Sequence, residues 1–192
     1  ARSEIQFIKN QGRRAMNVDE LKLLVAQGES ERLEFKKSTG ELKAALETFS
    51  GFLNSNGGRV LFGVTPGGEI VGQEVTDPTL REVAEALKRF ELPIPGELDR
   101  VDLENGRAVL VLTTSPGPMS PYLFNGRPFR RVASTTSLMP QSEYQRRLLQ
   151  RDHARERWEN QIAIGYRVKD LDATEIRQMV SDSIAAGRLL EQ

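Results

Sequence analysis

The 192-residue chain has no cysteine, one histidine (His153), one tryptophan (Trp158) and no net charge, 27 Lys and Arg standing against 27 Asp and Glu. Each shortage removes a class of function. Without cysteine there is no disulfide framework, no thiolate zinc site and no cysteine nucleophile. A single histidine supports neither a His-based metal site nor a Ser–His triad. No apolar run approaches the ~20 residues of a membrane-spanning helix, and no secretory leader pattern stands out. A cytoplasmic protein with no membrane partner is the expectation. The length suits one domain, with or without an appendage, and a core of ordinary size needs no covalent staples.

Charge balance hides an asymmetry. Residues 127–157 carry Arg127, Arg130, Arg131, Arg146, Arg147, Arg151, Arg155 and Arg157 against only Glu143, Asp152 and Glu156. Residues 69–104 are acidic. A neutral molecule can therefore present one basic face, which is what phosphate binding requires.

The most informative stretch is Gly28–Gly72. From Glu31 to Lys36 apolar and charged residues alternate, which is strand periodicity and puts Arg32, Glu34 and Lys36 on one face. Leu42, Ala45, Leu46, Phe49 and Leu53 recur at helical spacing, with Ser38 and Glu41 placed for a capping box. The helix stops at Asn54-Ser55-Asn56-Gly57-Gly58, where Asn and Gly tolerate left-handed angles. Arg59–Val64 reads as a buried strand, and Pro66-Gly67-Gly68 turns it back into Glu69–Gly72. Upstream, Asp19–Gln27 reads as a short helix with Leu21, Leu24 and Val25 on one side. Downstream, Asp77 and Pro78 open a helix with Leu80, Val83, Ala84 and Leu87 as its stripe, ended by Pro93 and Pro95. Strands are expected at Leu98–Leu103 and Arg107–Thr113 around Glu104-Asn105-Gly106, then at Tyr122–Phe124 and Phe129–Ala133 around Asn125-Gly126. Gln141–Gln161 is a long helical pattern, with Tyr144, Leu148, Trp158 and Ile162 near packing spacing. Ala173–Ala186 is a last helix capped by Asp172 and Glu175, with Ile176, Met179, Val180 and Ile184 apolar and Gly187 as its stop.

Leu33-Glu34-Phe35-Lys36-Lys37-Ser38, the helix, the Asn56–Val64 segment and Glu69–Gly72 together resemble the Schlafen-type Alba-like (AlbA_2) domain. Phe129–Thr136 resembles that family's later strand, and the likeness runs from about residue 18 to 151. The resemblance implies an α+β fold, with a mixed sheet of about five or six strands, packed helices and additional C-terminal helices. Residues 1–16 then form a tail, 17–151 the Schlafen/Alba-like domain, and 152–192 a helical extension or linker. Bacterial members are described as DNA-binding or transcriptional-regulator domains, and an ATPase-like region commonly follows. That implies DNA or RNA as partner, admits a homodimer, and suggests a C-terminal domain beyond this chain, as does the apolar Leu189-Leu190 near its end.

Two sets of candidate site residues follow. In ribonuclease-active Schlafens, two glutamates at the spacing of Glu29 and Glu34 join a third acid to hold a divalent metal against the scissile phosphate. Hard ions prefer such oxygen ligands. Here the third position is Thr65, a neutral and poor ligand, so the triad is incomplete unless Glu69 substitutes. Mg or Mn enters only with this nuclease alternative; otherwise no cofactor is expected, and enzymatic activity is not the favoured reading. Glu34 on a strand equally neutralises basic neighbours. The second set is basic. Arg147, Arg151 and Arg155 recur every four residues on the helical pattern, Arg130 and Arg131 precede them on a strand, and Lys36 stands on the first strand. Guanidinium groups bind phosphate bidentately. A charged helix face is also what solvent demands of any surface helix. The Asn54–Gly58 turn lacks the Gly-Lys-Ser/Thr signature of a phosphate loop and sits at a helix C-terminus, where the dipole disfavours anions. The leading expectation is nucleic-acid binding through backbone phosphates; a protein-interaction module joining acidic and basic regions is the third reading.

Overall fold

A computed structural model describes residues 16–156 and 172–186. Most of the expected tail, together with Trp158, Ile162, Gly187 and Leu189-Leu190, lies outside the described residues. The chain divides into two compact units, residues 1–152 and 153–192.

In the first unit, α1 (Val18–Val25) opens with a reciprocal box: Asn17 Oδ1 accepts the Glu20 N–H and the Glu20 carboxylate accepts the Asn17 N–H, both at 2.9 Å. Its buried side is Leu21, Leu24 and Val25, as their spacing indicates. After β1 (Leu33–Lys36), a 3₁₀ turn at Thr39–Glu41 leads into α2 (Leu42–Leu53). The box expected between Ser38 and Glu41 is not formed. The Ser38 hydroxyl accepts from Gly40 N–H, and the Glu41 carboxylate reaches back one residue further, to Lys37 N–H. The tighter 3₁₀ turn shifts both partners. Leu42, Ala45, Leu46, Phe49, Phe52 and Leu53 are buried along α2.

β2 (Gly58–Phe62) lies parallel to β1, Leu33 pairing with Arg59 and Lys36 with Phe62, and α2 is the crossover between them. Gly57 makes the tight return possible. Its φ is +72°, and a Cβ there would lie 2.6 Å from the Thr114 carbonyl. Beyond β2 the expected return strand Glu69–Gly72 reduces to a single bridge, Val64 to Ile70. The Gly63 carbonyl accepts from both Val71 and Gly72 N–H, which breaks the ladder after one rung. α3 (Asp77–Leu87) is capped by Thr76 with Thr79, one residue earlier than Asp77. Pro78 still falls in its first turn, where no N–H is missed.

β3 (Glu97–Asp102) and β4 (Ala108–Thr114) complete a four-stranded sheet of order β1-β2-β4-β3, antiparallel except for β1–β2. β4 is buried from Ala108 to Leu112 because both sheet faces are covered, which explains its unbroken apolar run. On one face Phe49, Phe52, Val60, Phe62, Val83, Leu110 and Leu112 pack with α2 and α3; on the other Leu21, Leu24, Phe35, Leu61, Val109 and Val111 pack with α1.

β5 (Leu123–Phe124), β6 (Arg127–Val132) and β7 (Thr135–Leu138) form a second, three-stranded meander. Its first turn is Asn125-Gly126, as the sequence indicates, with both residues at positive φ. β7 has no clear signal in the sequence. Its Thr-Thr-Ser-Leu is largely exposed, and Ala133 at φ 50° makes the turn before it. The chain is thus α+β, its strands divided between two sheets because β5–β7 pack over α2 instead of extending the first sheet. Gly51 permits that approach: a Cβ would stand 3.2 Å from the backbone of Arg130 and Arg131. α4 (Gln141–Glu156) follows.

In the second unit, α5 (Ala173–Ala185) is capped by Asp172, whose carboxylate accepts from Thr174 and Glu175 N–H. These two bonds hold the Asp172 carboxyl below its ordinary value. Ile176, Met179 and Val180 are exposed on it. No helix among the described residues is long and apolar enough to cross a membrane.

Candidate functional site

Strand alternation sends Leu33 and Phe35 toward α1 and leaves Glu34 and Lys36 on the opposite face, toward α2 and β6. There Glu34 is 7% exposed. Its Oε1 is bound by Lys36 Nζ at 2.6 Å and its Oε2 by Arg131 Nη2 at 2.6 Å. Arg131 is equally buried, and its donors are spread over protein acceptors. Nε and Nη2 donate to the Ser30 carbonyl at 3.3 and 2.9 Å, Nη2 to Leu33 at 3.4 Å, and Nη1 to Thr136 Oγ1 at 3.0 Å. The guanidinium lies 5.3 Å above the Phe52 ring, a cation–π contact. Thr136 in turn meets Thr48 of α2 at 2.8 Å.

The other members of the expected carboxylate site are also engaged. Glu29, exposed, accepts the Phe35 N–H at 3.0 Å. The Thr65 hydroxyl accepts the Glu69 N–H at 3.1 Å, so Thr65 braces the turn and Glu69 meets it through its backbone. A divalent ion needs free carboxylate lone pairs at roughly 2.0–2.6 Å. Here both Glu34 oxygens face cationic nitrogens and the third position is neutral. The residues present do not fit such an ion.

The arginines fall into two groups. Arg131 and Arg147, expected as phosphate contacts, are instead tied into the protein. Arg147 binds Glu143 through Nε at 3.0 Å and Nη2 at 2.7 Å, and its Nη1 donates to the Asn54 carbonyl and, at 3.1 Å, to Ser120 Oγ. Asn54 is itself a buried hub: its amide donates to the Tyr122 and Phe129 carbonyls, and its oxygen accepts from Tyr122 N–H and Ser120 hydroxyl. Arg130 shares Glu143, at 3.1 Å. Burial raises the Glu143 carboxyl, but hydrogen bonds and charge from Arg147 and Arg130 outweigh it and hold it below its ordinary value. Burial likewise pushes the Tyr122 phenol up, although the Met119 N–H opposes it.

Arg127 and Arg146 are exposed, and Arg151 is half-buried beside Asp152 at 3.5 Å. The side chains of His153 and Arg155 lie outside the described residues. Lys36 is largely covered and committed to Glu34. Glu143 and Asn54 belong to this site without standing out in the sequence. Glu143 has a signal in its i,i+4 spacing to Arg147. Asn54 reads there as a turn residue and nothing more.

An α+β domain with this parallel β1–α2–β2 unit and β6–β7 hairpin defines the class. Residues 29–140 match the Schlafen, AlbA_2 family, and the chain belongs to it. A comparison with curated proteins gave no match. Among solved structures, the chain is similar to the DIP2311 protein from Corynebacterium diphtheriae, with a TM-score of 0.45 and 18% identity over 71% of this chain and 28% of that one. It is also similar to the N-terminal domain of a RecG-related protein from Nitrosomonas europaea, with a TM-score of 0.44 and 22% identity over 59% of this chain and 89% of that one.

Proposed function

We propose that the domain binds nucleic acid through backbone phosphates, using Arg127, Arg130 and Arg146. Membership of the Schlafen AlbA_2 family supports a nucleic-acid-related role. One observation carries the choice of residues: Arg130 on β6 and Arg147 on α4 share the single carboxylate of Glu143, leaving that junction positive. Arg146 extends it on the exposed side of α4, and Arg127 lies exposed on β6. Guanidinium planes recognise phosphate bidentately and carry no base preference of their own. Arg131, Arg147 and Lys36 build this surface from beneath. By helical spacing Arg151 and Arg155 fall in line with Arg147 and not with Arg146. On this reading the domain docks a larger cytoplasmic regulator on DNA or RNA. No observation favours metal-dependent cleavage at Glu29 and Glu34.

The test is binding of labelled single- and double-stranded DNA and RNA across a salt series. Arg127→Ala/Arg146→Ala should lower the slope of log affinity against log salt by roughly 1.4–1.8, two phosphate contacts' worth. Arg147→Ala, compared at equal folded fraction, should lower the slope by less than the double variant, since it removes the junction's excess charge without removing a direct phosphate contact. Absence of binding even at low salt rejects the proposal. A homodimer is a second reading, favoured by the exposed Ile176, Met179 and Val180 on α5; sedimentation equilibrium with Met179→Glu checks it.

A further inference from the structure

We infer that Glu34 is a positioning residue, the buried counter-ion that anchors the β6–β7 hairpin to β1 through Arg131, and not the ligand of a divalent cation. The inference stands on the disagreement between the carboxylates and a metal site, and does not depend on nucleic-acid binding.

The geometry is that of a pin. Arg131 leaves β6, passes over the Phe52 ring and ends at β1 and the turn before it, where it meets the Ser30 and Leu33 carbonyls and the Glu34 carboxylate. Its side chain is 1% exposed, so no route leads to it while the hairpin stays in place. Elsewhere this part of the hairpin is held by the Thr136–Thr48 bond and by the close approach at Gly51. These contacts are short but neutral. Arg130 adds an ion pair to Glu143, but there the arginine is 39% exposed; the buried Arg131–Glu34 contact is the one whose loss leaves an ion stranded. With Glu34 neutral, Arg131 would remain buried beside Lys36 with no counter-charge, and two cations would face each other.

This arrangement also accounts for the chemistry of the carboxylate. A cation entering between Glu34 and its partners would have to displace two ammonium or guanidinium nitrogens, each 2.6 Å away, and then remain beside both positive charges. Lys36 and Arg131 occupy the coordination the oxygens offer. Truncating one partner is therefore expected to be worse than removing the charges of both, because the double change leaves no buried guanidinium without a counter-charge, and the remaining Lys36 ammonium has a flexible stem on which to turn toward solvent. A metal-ligand role makes no such demand: there Arg131→Met would free Glu34 and strengthen ion binding.

The test uses the full chain and three readouts: metal binding, melting temperature and amide exchange. Titration of the wild type with Mn²⁺, followed by calorimetry, should show no saturable site, and neither Mn²⁺ nor chelator should shift its melting temperature. Amide hydrogen exchange should then be compared among wild type, Glu34→Gln and Glu34→Gln/Arg131→Met. The single variant should speed exchange across residues 127–138 by on the order of 100-fold, with β2 and β4 far less affected. The double variant should recover much of that protection. If the single variant does not fold, a double variant that does fold supports the pair. A saturable Mn²⁺ site abolished by Glu34→Gln overturns the inference. So does unchanged exchange over the hairpin in Glu34→Gln, or a double variant no more stable than the single.

Discussion

Arg147, on α4, donates to the backbone carbonyl of Asn54, the residue that closes α2. A helix C-terminus leaves carbonyls without intrahelical donors and concentrates partial negative charge, so a guanidinium there satisfies both needs. The same guanidinium keeps Glu143 charged and close, and Glu143 holds Arg130. One side chain thereby couples α4, α2 and β6.

Arg147→Ala should therefore act on stability. Loss of a charge-assisted bond and of an ion pair that is only a quarter exposed on the arginine side is expected to cost about 1.5–3 kcal/mol in urea unfolding. Arg147→Lys should recover only part of this, because an ammonium cannot span Glu143, Asn54 and Ser120 as a planar fork does. Wild-type unfolding of Arg147→Ala would show that the bonds contribute nothing net.

Glu143 should confer an acid-side pH dependence. Its folded carboxyl lies below the ordinary value, so the folded state binds fewer protons in that window and stability rises with pH. The contribution is complete above the unfolded value of about 4.3 and is lost as pH falls through the lower folded value. Melting temperatures measured from pH 7 to pH 3 should fall less steeply in Glu143→Gln than in the wild type. Parallel curves would assign the slope to other carboxylates.

Asn54→Ala should be among the most damaging substitutions. It strands the Phe129 carbonyl and the Tyr122 N–H in the interior at once, and leaves the Tyr122 carbonyl with the Ser50 hydroxyl as its remaining side-chain donor. A loss of about 3 kcal/mol or more is expected from denaturant unfolding. Asn54→Asp is expected to be no remedy, since a carboxylate accepts but cannot donate to the two carbonyls.

Gly57→Ala tests the return from α2 to β2. The position combines a positive φ with backbone atoms of Thr114 and Ser115 at 2.6–3.0 Å from a Cβ. Both strain and overlap oppose alanine, and destabilisation of at least about 2 kcal/mol is expected by thermal or chemical melting. Gly106→Ala, with a similar φ of +75° but open space around it, should cost less and so separate the two effects.

Much of the fold is legible in the sequence because periodicity and turn residues dominate it. The β1–α2–β2 unit, the β3–β4 hairpin and the Asn125-Gly126 turn follow from apolar spacing and from residues that accept positive φ. Cap positions move by one residue, at Thr76 and around Ser38, where several neighbours offer oxygens to the same N–H groups. β7 is hidden because nothing in Thr-Thr-Ser-Leu alternates, and its partner β6 supplies the burial. The arginines mislead for a different reason. At 3.6 residues per turn, Tyr144, Arg147, Leu148 and Arg151 fall within about 100° of arc. The stripe thus lies on the packed side of α4, half-buried, while Arg146 faces outward. The spacing already contains that result. What it cannot contain is the identity of the acceptors, because Asn54, Ser120, Ser30 and Leu33 come from distant parts of the chain.

β1 is the end strand of its sheet: β2 pairs along one side, and on the other Leu33 makes a single backbone bridge to Ser30. The Arg32 carbonyl accepts from Arg59 of β2, so by alternation the Leu33 carbonyl faces away from the sheet, and there Arg131 meets it. A bare end strand is a template on which another chain can add itself. Here three groups close it: the Ser30 backbone bonds both the N–H and the carbonyl of Leu33, the Glu29 carboxylate takes the Phe35 N–H, and Arg131 adds a second donor at the Leu33 carbonyl. The edge is thus blunted by the turn that precedes the strand and by side chains, with no further strand beside it.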